Sequence, residues 1–442
     1  MTTMETYFSE LAAVLRRELQ AGERFTVWFA AEDSDFVRLN RGKVRQPGFV
    51  AQRYLRIRLI RGARHTEHTM SLTGDVMRDT PEIRAALSGL RAALPELADD
   101  PHLMLPDVVA SSSVERAGGL PPSSEIVDQV LEGARGEDLV GLLAAGPVYR
   151  GFANSEGQTN WHVATTFNLQ WSLYHRADKA VKSSYAGFDW DRATLDHKMA
   201  DARERLALIS RAPKSLEPGR FRTYLTPSAM EEIAQLLCWG GFSGRALATK
   251  QSALTRMQTG ARLDPRVSLS EDTSAGVAPA FQSDGFTRPA RVPLIDSGSL
   301  VGSLVSPRTA REFGLPTNGA NGSEAPEALS MAPGTLPAKD ALAALGTGLY
   351  VGNLWYLNYS DRTACRMTGM TRFATFWVED GRIVAPVNVL RFDDTLYRML
   401  GENLEALTDE TELLLDSSSY GSRVLSSAAL PGALVKEMAF TL

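Results

Sequence analysis

The sequence has few cysteines, no long apolar segment and no large excess of charge of either sign. Its 442 residues include only two cysteines, Cys238 and Cys365, so a disulfide framework is excluded and both are expected to be reduced thiols. No segment approaches the roughly 18 apolar residues that a membrane-spanning helix needs. Residues 1–20 are charged throughout and lack the apolar core of a signal peptide, which predicts an amphipathic helix and a cytosolic protein.

The charge balance argues against a nucleic-acid-binding protein. Forty-seven basic and 52 acidic side chains leave a net charge of −5, so the chain has no global positive field for gripping DNA or an anionic membrane. Apolar residues make up 44% and charged residues 22%, which is typical of a globular protein and excludes disorder as the main state. The length predicts two or three domains.

Apolar periodicity predicts an α+β fold with antiparallel sheets and packed helices. Residues 51–62 alternate, so that Leu55, Ile57 and Leu59 share one face and Arg56 and Arg58 lie on the other, which is expected to face solvent. Residues 191–210 have a helical stripe with Asp191 as a plausible N-cap, and Asp380-Gly381 predicts a hairpin turn.

Segments rich in proline, glycine and serine divide the chain. Residues 98–123 predict a linker or long loop, and residues 240–290 predict another long loop of undetermined role. Pro213, Pro218 and Gly219 follow the helix that ends near 210 and place the domain boundary near 212–220. We therefore expect an N-terminal α+β domain over 1–215 and a mainly antiparallel β domain over 216–442.

The sequence carries no recognisable metal motif. It contains no HExxH, HExxxH or CxxC, and its only close histidine pair is His65 and His68. On a strand, a spacing of three puts the two rings on opposite faces, which is poor geometry for one ion; in a turn they could meet. A polar surface hairpin is the favoured interpretation.

The two cysteines are candidate nucleophiles. Cys238 lies at an apolar helix end, where a buried and inert thiol is expected. Cys365 lies near Arg362 and Arg366, whose charges could lower its pKa. No sequence partner for catalysis lies beside it, so its role stays open.

An aromatic run, residues 349–362 (LYVGNLWYLNYSDR), allows two interpretations. The rings can simply pack a sheet. Aromatic side chains beside a charged pair also suit a peptide-binding groove, in which backbone pairing provides affinity and pockets provide selectivity. On the second interpretation, Tyr356, Tyr359, Arg362 and Arg372 are the candidate substrate contacts.

Several strings between about residue 220 and the C-terminus resemble the TldD/TldE (PmbA) family, whose members were once described as modulators of DNA gyrase. In chain order they are 283–288 (SDGFTR), 294–300 (LIDSGSL), 314–319 (GLPTNG), 346–351 (GTGLYV), 376–381 (FWVEDG) and 386–387 (PV). In the first half, residues 154–157 (NSEG) resemble the family's NS-x-G turn. Each string alone is weak, but their order and spacing together are specific.

The resemblance implies a zinc site that this sequence cannot build. In TldD-type subunits an HExxxH helix supplies two histidine ligands and a general-base glutamate, and a late cysteine is the third ligand. The alignment places Gln235, Leu236 and Gly240 at the His, Glu and His positions, and no cysteine follows Cys365. Zinc needs three protein ligands and an open site for water. We therefore expect no metal and no other cofactor.

The chain is thus identified as similar to the TldE/PmbA type, the metal-free partner of a TldD-type metallopeptidase. The resemblance implies a cytosolic dimer, either with a TldD-like subunit or with itself, whose cleft admits unfolded peptide. Two alternatives stay open from the residues alone. One is a self-sufficient hydrolase with a non-zinc site near 356–372, which includes Cys365, and the other is a regulatory binding protein. The sequence does not decide whether the chain has activity of its own.

Overall fold

The computed structural model describes residues 3–176, 179–274 and 277–441. Within these ranges it contains eight α-helices and twenty β-strands. The helices are α1 Met4–Glu18, α2 Val76–Ala93, α3 Ser123–Gly133, α4 Arg192–Ile209, α5 Pro227–Cys238, α6 Gly244–Ala248, α7 Pro307–Phe313 and α8 Ala341–Leu345. The strands up to residue 187 are β1 Arg24–Asn40, β2 Lys43–Arg61, β3 Arg64–Ser71, β4 Ser112–Arg116, β5 Asp138–Asn154, β6 Thr159–Arg176 and β7 Lys179–Gly187.

The remaining strands all follow residue 218. They are β8 Gly219–Leu225, β9 Leu269–Asp272, β10 Arg291–Asp296, β11 Ser299–Leu300, β12 Ala328–Met331, β13 Gly348–Asp361, β14 Arg366–Glu379, β15 Arg382–Pro386, β16 Arg391–Thr395, β17 Leu404–Leu407, β18 Glu412–Leu415, β19 Ser427–Leu430 and β20 Ala433–Phe440. The α+β fold with mostly antiparallel sheets is confirmed.

The first half of the chain builds one sheet from long strands. Its order is β3-β2-β1-β5-β6, and β4 and β7 both pair with the outer edge of β6. Strand β4 runs parallel to β6, whereas the other pairs are antiparallel. Because β1, β2, β5 and β6 each have 17 to 19 residues, the sheet is long enough to support packing at both ends.

Alternation along these strands gives the sheet two different faces. Leu55, Ile57 and Leu59 are fully buried in a core that includes apolar residues of α1 and α2. The opposite face carries Trp28, which is paired with Arg56 in the sheet. This face was expected to meet solvent, but in the structure it meets the second half of the chain, where Arg58 forms an ion pair with Asp284 at 2.6 Å.

The second half contains two further sheets. In one, β13, β8, β20, β16 and β14 pair in that order and β14 pairs again with β13, so that the sheet closes on itself. Strand β15 extends it from β14, and β17 pairs with β20. The other has the order β11-β10-β9-β12-β19-β18. Helix α5 packs against β13 and against the β18–β19 edge, so it lies between the two sheets.

The two halves of the chain share a hydrophobic core. One cluster joins Leu169 of the first sheet and Leu195 of α4 to Tyr350 and Phe376 of the closed sheet. The first sheet uses residues 24–187 and the other two use residues 219–440. A division at 215/216 between an N-terminal and a C-terminal domain stays a prediction.

Features set by a few consecutive residues were predicted correctly, whereas short elements that depend on distant parts of the chain were not. Asp191 caps α4 by accepting hydrogen bonds from the Ala193 and Thr194 amides, and Asp380 and Gly381 form the β14–β15 turn with positive φ, as predicted. The predicted loop over 98–123 instead contains β4, because a five-residue strand with no alternation gives no signal until β6 lies beside it. The predicted loop over 240–290 likewise contains α6 and β9.

Candidate functional site

Helix α5 carries two of the three metal-motif positions, Gln235 and Leu236, and the third, Gly240, lies just beyond its end. Pro227 occupies its first turn, and the Thr226 hydroxyl accepts a hydrogen bond from the Ala229 amide at 3.3 Å. The same hydroxyl donates to the Gly352 carbonyl oxygen of β13 at 2.7 Å. Met230 and Ile233 anchor the apolar face of the helix in the core. The start of α5 is therefore fixed to the closed sheet, and the face that includes Gln235 is turned away from the core.

The residues at the three positions do not fit a zinc ion. Gln235 is exposed, but Leu236 is 2% exposed and belongs to the core. Gly240 follows the helix with φ +81°, and a Cβ there would lie 3.2 Å from the Arg362 guanidinium. Zinc binds cysteine sulfur, histidine nitrogen or carboxylate oxygen, and none of these groups is offered here. A larger residue at 240 would also be strained, because positive φ favours glycine.

A cavity of about 220 Å³ lies beside the exposed face of α5 and is named here the α5 cavity. Helix α5 and the residue after it contribute Glu231, Ala234, Gln235, Cys238 and Trp239 to its wall. The other wall residues are Ala325, Pro326, Leu329, Leu414, Asp416, Ser426, Ser427 and Ala428. The Gln235 side-chain amide donates to the Glu231 carboxylate at 3.2 Å. The helix side of the wall therefore offers a carboxylate and a carboxamide that bond to each other.

Glu231 is the carboxyl group of the α5 cavity whose pKa is raised into the neutral range. Burial raises the pKa of its carboxyl to about 7, and the negative charges of Glu232 and Asp416 act in the same direction. Lys182 and the Gln235 hydrogen bond oppose the rise without cancelling it. A carboxyl group that exchanges its proton near neutral pH inside a cavity is a candidate for a functional role.

A second cavity, of about 380 Å³, adjoins the first and is named here the arginine cavity. The two share wall residues Ala325, Pro326 and Ser426, so they lie side by side and are together named here the central cleft; its arginine cavity lies between the halves of the chain. The further residues that line it are Trp28, Arg56, Arg150, Pro279, Gln282, Ser283, Arg288, Asn321, Ser323, Glu327, Val424 and Leu425. The first sheet thus contributes a cationic and aromatic floor.

The loop of residues 416–426, between β18 and β19, borders both cavities and is anchored in the first sheet. Arg423 is 7% exposed, and its guanidinium donates to the Gly146 carbonyl oxygen at 2.9 Å and to the Thr166 hydroxyl at 2.7 Å. Its backbone amide donates to the buried Glu32 carboxylate at 3.2 Å. Burial lowers the pKa of Arg423 to about 10. Because this value is still well above 7, the guanidinium stays cationic at neutral pH.

Comparison with known families and structures agrees with this architecture. A model of the PmbA/TldA metallopeptidase C-terminal domain matches residues 218–442, about half of the chain. The chain belongs to the PmbA/TldD family. No curated protein matches it significantly over any part.

Solved structures of PmbA/TldD-type proteins share the fold at low sequence identity. TldE from Thermococcus kodakarensis is 13% identical with a TM-score of 0.76, covering 99% of this chain and 100% of its own. A candidate modulator of a DNA gyrase from Thermotoga maritima is 13% identical with a TM-score of 0.75 and the same coverage. Another, from Bacteroides thetaiotaomicron, is 16% identical with a TM-score of 0.76 and covers 100% of this chain and 99% of its own.

Two of the predicted substrate contacts hold the end of α5 in this PmbA/TldD-family chain. The Tyr359 hydroxyl donates to the Leu236 carbonyl oxygen at 3.0 Å. The Arg362 guanidinium donates to the Gln251 carbonyl oxygen at 3.0 Å and also to that of Trp239. Both side chains therefore lie beside the positions of the family's metal motif, where they bond to backbone groups. A direct role in substrate binding stays a prediction.

The other two predicted contacts lie together on the β13–β14 hairpin. Tyr356 is 77% exposed with φ +58°, and its ring lies 5.5 Å from that of Trp355. The Arg372 guanidinium lies 3.9 Å from the centroid of the Trp355 ring on the facing strand. The structure thus joins Tyr356 and Arg372 through Trp355, on an exposed surface outside the two cavities of the central cleft.

Both cysteines have the properties of inert thiols. Cys365 is fully buried in the core of the second half. Arg362 lowers the pKa of its thiol, as the sequence suggested, but burial outweighs that effect and raises the pKa to about 12. Burial likewise raises the pKa of Cys238 to about 12. Neither supplies a thiolate at neutral pH.

Sequence reasoning missed the main polar residues of the cleft. Arg56 was recognised only as part of a wet strand face, and Arg288 only as part of the 283–288 string. Arg150 and Glu231 carried no signal, because nothing in their local sequence marks them. The alternation of β2 could have led to the cleft had its arginine face been expected to meet another part of the chain.

Two other features are absent from the residues that the structure describes. Among residues 3–176, 179–274 and 277–441, no group of three or more His, Cys, Asp or Glu side chains is placed to hold a metal ion. In the same ranges, no helix combines the length and apolar character required for crossing a membrane.

Proposed function

We propose that this chain is a non-catalytic, TldE/PmbA-like subunit of a cytosolic TldD/TldE-type zinc metallopeptidase complex. In this role it pairs with a TldD-like subunit and contributes the central cleft, which holds unfolded peptide for proteolysis. The single observation that carries the proposal is the identity of the residues at the three motif positions, two in α5 and one just after it. Gln235, Leu236 and Gly240 replace the HExxxH side chains, and two of them have no polar atom to offer.

The central cleft supports a peptide-holding role. It is a groove between two halves of the chain, with the aromatic Trp28 and the cationic Arg56 on one side and the α5 cavity on the other. Groups of this kind bind the backbone and the side chains of an extended peptide. Zinc hydrolysis in the complex would then depend on the TldD-like subunit, which supplies the metal and the general base.

The alternative of a hydrolase centred on residues 356–372 receives no comparable support. Its candidate nucleophile, Cys365, is fully buried, and its thiol has a pKa of about 12. The regulatory alternative has no observation in its favour beyond the printed description of two related structures as candidate gyrase modulators.

The experiment is to purify the full chain and measure its zinc content and its cleavage of an unfolded peptide. Both measurements are made with and without a TldD-type partner. We expect no stoichiometric zinc in this chain and no cleavage by it alone, and we expect cleavage when the partner is present. Stoichiometric zinc together with cleavage by the isolated chain would contradict the proposal.

A variant of the chain tests the contribution of the cleft. Gln235→Arg places a long cation in the α5 cavity and should lower the rate of cleavage by the complex several-fold. Glu82→Gln, an exposed position on α2, is the matched control and should leave the rate unchanged. Equal rates for both variants would argue that peptide does not pass along α5.

A further inference from the structure

We infer that the arginine cavity binds the terminal carboxylate of a peptide, with Arg150 as the principal cation. This inference rests on the proposed function and narrows it, because it names the end of the peptide that this chain receives. Three observations carry it: a guanidinium with no carboxylate partner, two unpartnered buried N–H groups on residues of the same cavity, and the position of that cavity beside the α5 cavity.

Arg150 is a half-buried cation without a carboxylate partner. Its guanidinium donates only to backbone carbonyl oxygens, to that of Tyr149 at 2.8 Å and to that of Arg423 at 3.3 Å. Glu32 and Glu327 act on it electrostatically at longer range. No carboxylate among the described residues lies within 4 Å of it. A guanidinium so placed has unused capacity to bind an anion.

The same wall contains two buried polar atoms that bond to nothing. Gln282 is 3% exposed and its Nε2 has no hydrogen-bond partner, although its carbonyl oxygen accepts from the Asp284 amide. The Arg288 side chain is 6% exposed and its Nε is likewise without a partner. Buried polar groups in folded proteins nearly always have partners, so two unpaired donors on residues that line one cavity leave hydrogen-bonding capacity that an ordered water or a ligand can satisfy.

The remaining arginines are already matched by carboxylates. Arg288 forms ion pairs with Glu327 at 2.7 Å and with Glu271 at 3.6 Å. Arg56 lies 4.0 Å from Glu67. Arg150 is therefore the guanidinium of the arginine cavity that an incoming carboxylate can pair with, and Gln282 and Arg288 line the same cavity with unpaired N–H groups.

The shape of the cleft favours a peptide end as the source of the carboxylate. The arginine cavity holds about 380 Å³ and lies beside the α5 cavity, with which it shares the wall residues Ala325, Pro326 and Ser426. A chain lying along α5 can therefore place its last residue against Trp28 and its carboxylate near Arg150. An acidic side chain presents the same chemistry, and the experiment separates the two sources.

The test is a binding measurement on the zinc-free full chain with no partner and no cleavage. Fluorescence anisotropy compares three peptides with the same N-terminal label. One ends in a free carboxylate, one has the same sequence with a C-terminal amide, and the third is amidated but carries an internal aspartate. We expect the free acid to bind about tenfold more tightly than either amide.

Variants assign the effect to the cavity. Arg150→Gln should abolish the preference for the free acid, and Arg56→Gln, at a more accessible position, should reduce it if Arg150→Gln fails to fold. Arg45→Gln, on the same strand as Arg56 but exposed and outside this cavity, is the matched control and should keep the preference.

Three outcomes would overturn the inference: equal binding of free acid and amide, a preference that survives in a folded Arg150→Gln chain, or failure of all three peptides to bind. Binding of the internal aspartate peptide as tight as that of the free acid would overturn the assignment to a peptide end. The proposed function is judged separately, by zinc content and by cleavage with a partner, so either can fail without the other.

Discussion

At the scale of single residues, burial decides what the charged and nucleophilic groups of this chain can do. It makes the Cys365 thiol inert even though Arg362 lies close to it. It raises the pKa of Glu231 into the neutral range. It also makes Arg423 dependent on the hydrogen bonds that it forms in the first sheet, because a buried cation without partners is costly.

Arg423→Ala should lower the free energy of unfolding by about 2–4 kcal/mol. The change removes a buried guanidinium that bonds to Ser34, Gly146 and Thr166, and it leaves their oxygen atoms short of a donor. Urea denaturation followed by circular dichroism measures the effect. The control is Arg45→Ala at an exposed position, which should change little; an equally small change for Arg423→Ala would contradict the anchoring role of the 416–426 loop.

Neither thiol should react with a thiol reagent at pH 8 in the native state. Both have pKa values raised to about 12 by burial, and the thiolate is the reactive form. In denaturant the reagent should titrate both Cys238 and Cys365. Rapid modification of Cys365 in the folded chain, measured by mass spectrometry, would contradict this prediction and would support the hypothesis of a hydrolase with a cysteine nucleophile.

At the scale of elements, α5 is a helix whose two ends are both held. Thr226 fixes its start to β13, and Tyr359 and Arg362 bond to carbonyl oxygens at its C-terminal end. The positions of the metal motif thus lie in, or just after, a helix that is anchored at both ends. What they lack is ligand chemistry, and at Leu236 and Gly240 the surroundings also resist its restoration.

Leu236→Glu should lower the free energy of unfolding by about 3 kcal/mol or more, because it places a carboxylate at a position that is 2% exposed. Chemical denaturation of the variant is the measurement. Gln235→His, one residue earlier on the exposed side of the helix, should fold with nearly unchanged stability. A stable Leu236→Glu chain would indicate that α5 can accept the family's motif.

The stability of the chain should fall between pH 4.5 and pH 7 through Glu231. Its pKa is about 7 when folded against 4.5 for the ordinary carboxyl, so the folded state favours the protonated form. The contribution is fully present below pH 4.5 and is lost as the pH rises through 7. Glu231→Gln should therefore stabilise the chain at pH 8 by up to about 3 kcal/mol, and by little at pH 4.

Denaturation at the two pH values checks this prediction. The groups that act on Glu231 are Glu232, Lys182, Gln235 and Asp416, and all of them stay in place in the variant. Glu82→Gln, exposed on α2, serves as the control for removing a carboxylate. An equal effect of Glu231→Gln at pH 4 and pH 8 would contradict a raised pKa.

At the scale of the whole molecule, the sequence predicted features formed by neighbouring residues and missed the cleft, which is assembled from distant parts of the chain. The Asp191 cap and the Asp380-Gly381 turn depend on a few consecutive residues, so they could be predicted. The family, too, could be inferred from short strings. The cleft could not, because Arg56, Arg150 and Arg288 lie on separate strands and loops that only the folded chain brings together.

The three sheets explain why the cleft lies where it does. The first sheet covers one face with α1 and α2 and leaves the other face, with its arginines, to meet the loops of the second half. A core shared by both halves fixes their arrangement. This arrangement is the basis of the proposal that the chain holds a peptide between its halves while its partner cuts it.

The central claim is tested most directly by the amount of zinc that the chain retains. Full-length protein is incubated with excess zinc, dialysed, and analysed by elemental analysis together with a TldD-type subunit treated in the same way. The account predicts zinc in the TldD-type subunit and no stoichiometric zinc in this chain. One zinc ion per molecule of this chain, held through dialysis, would contradict it.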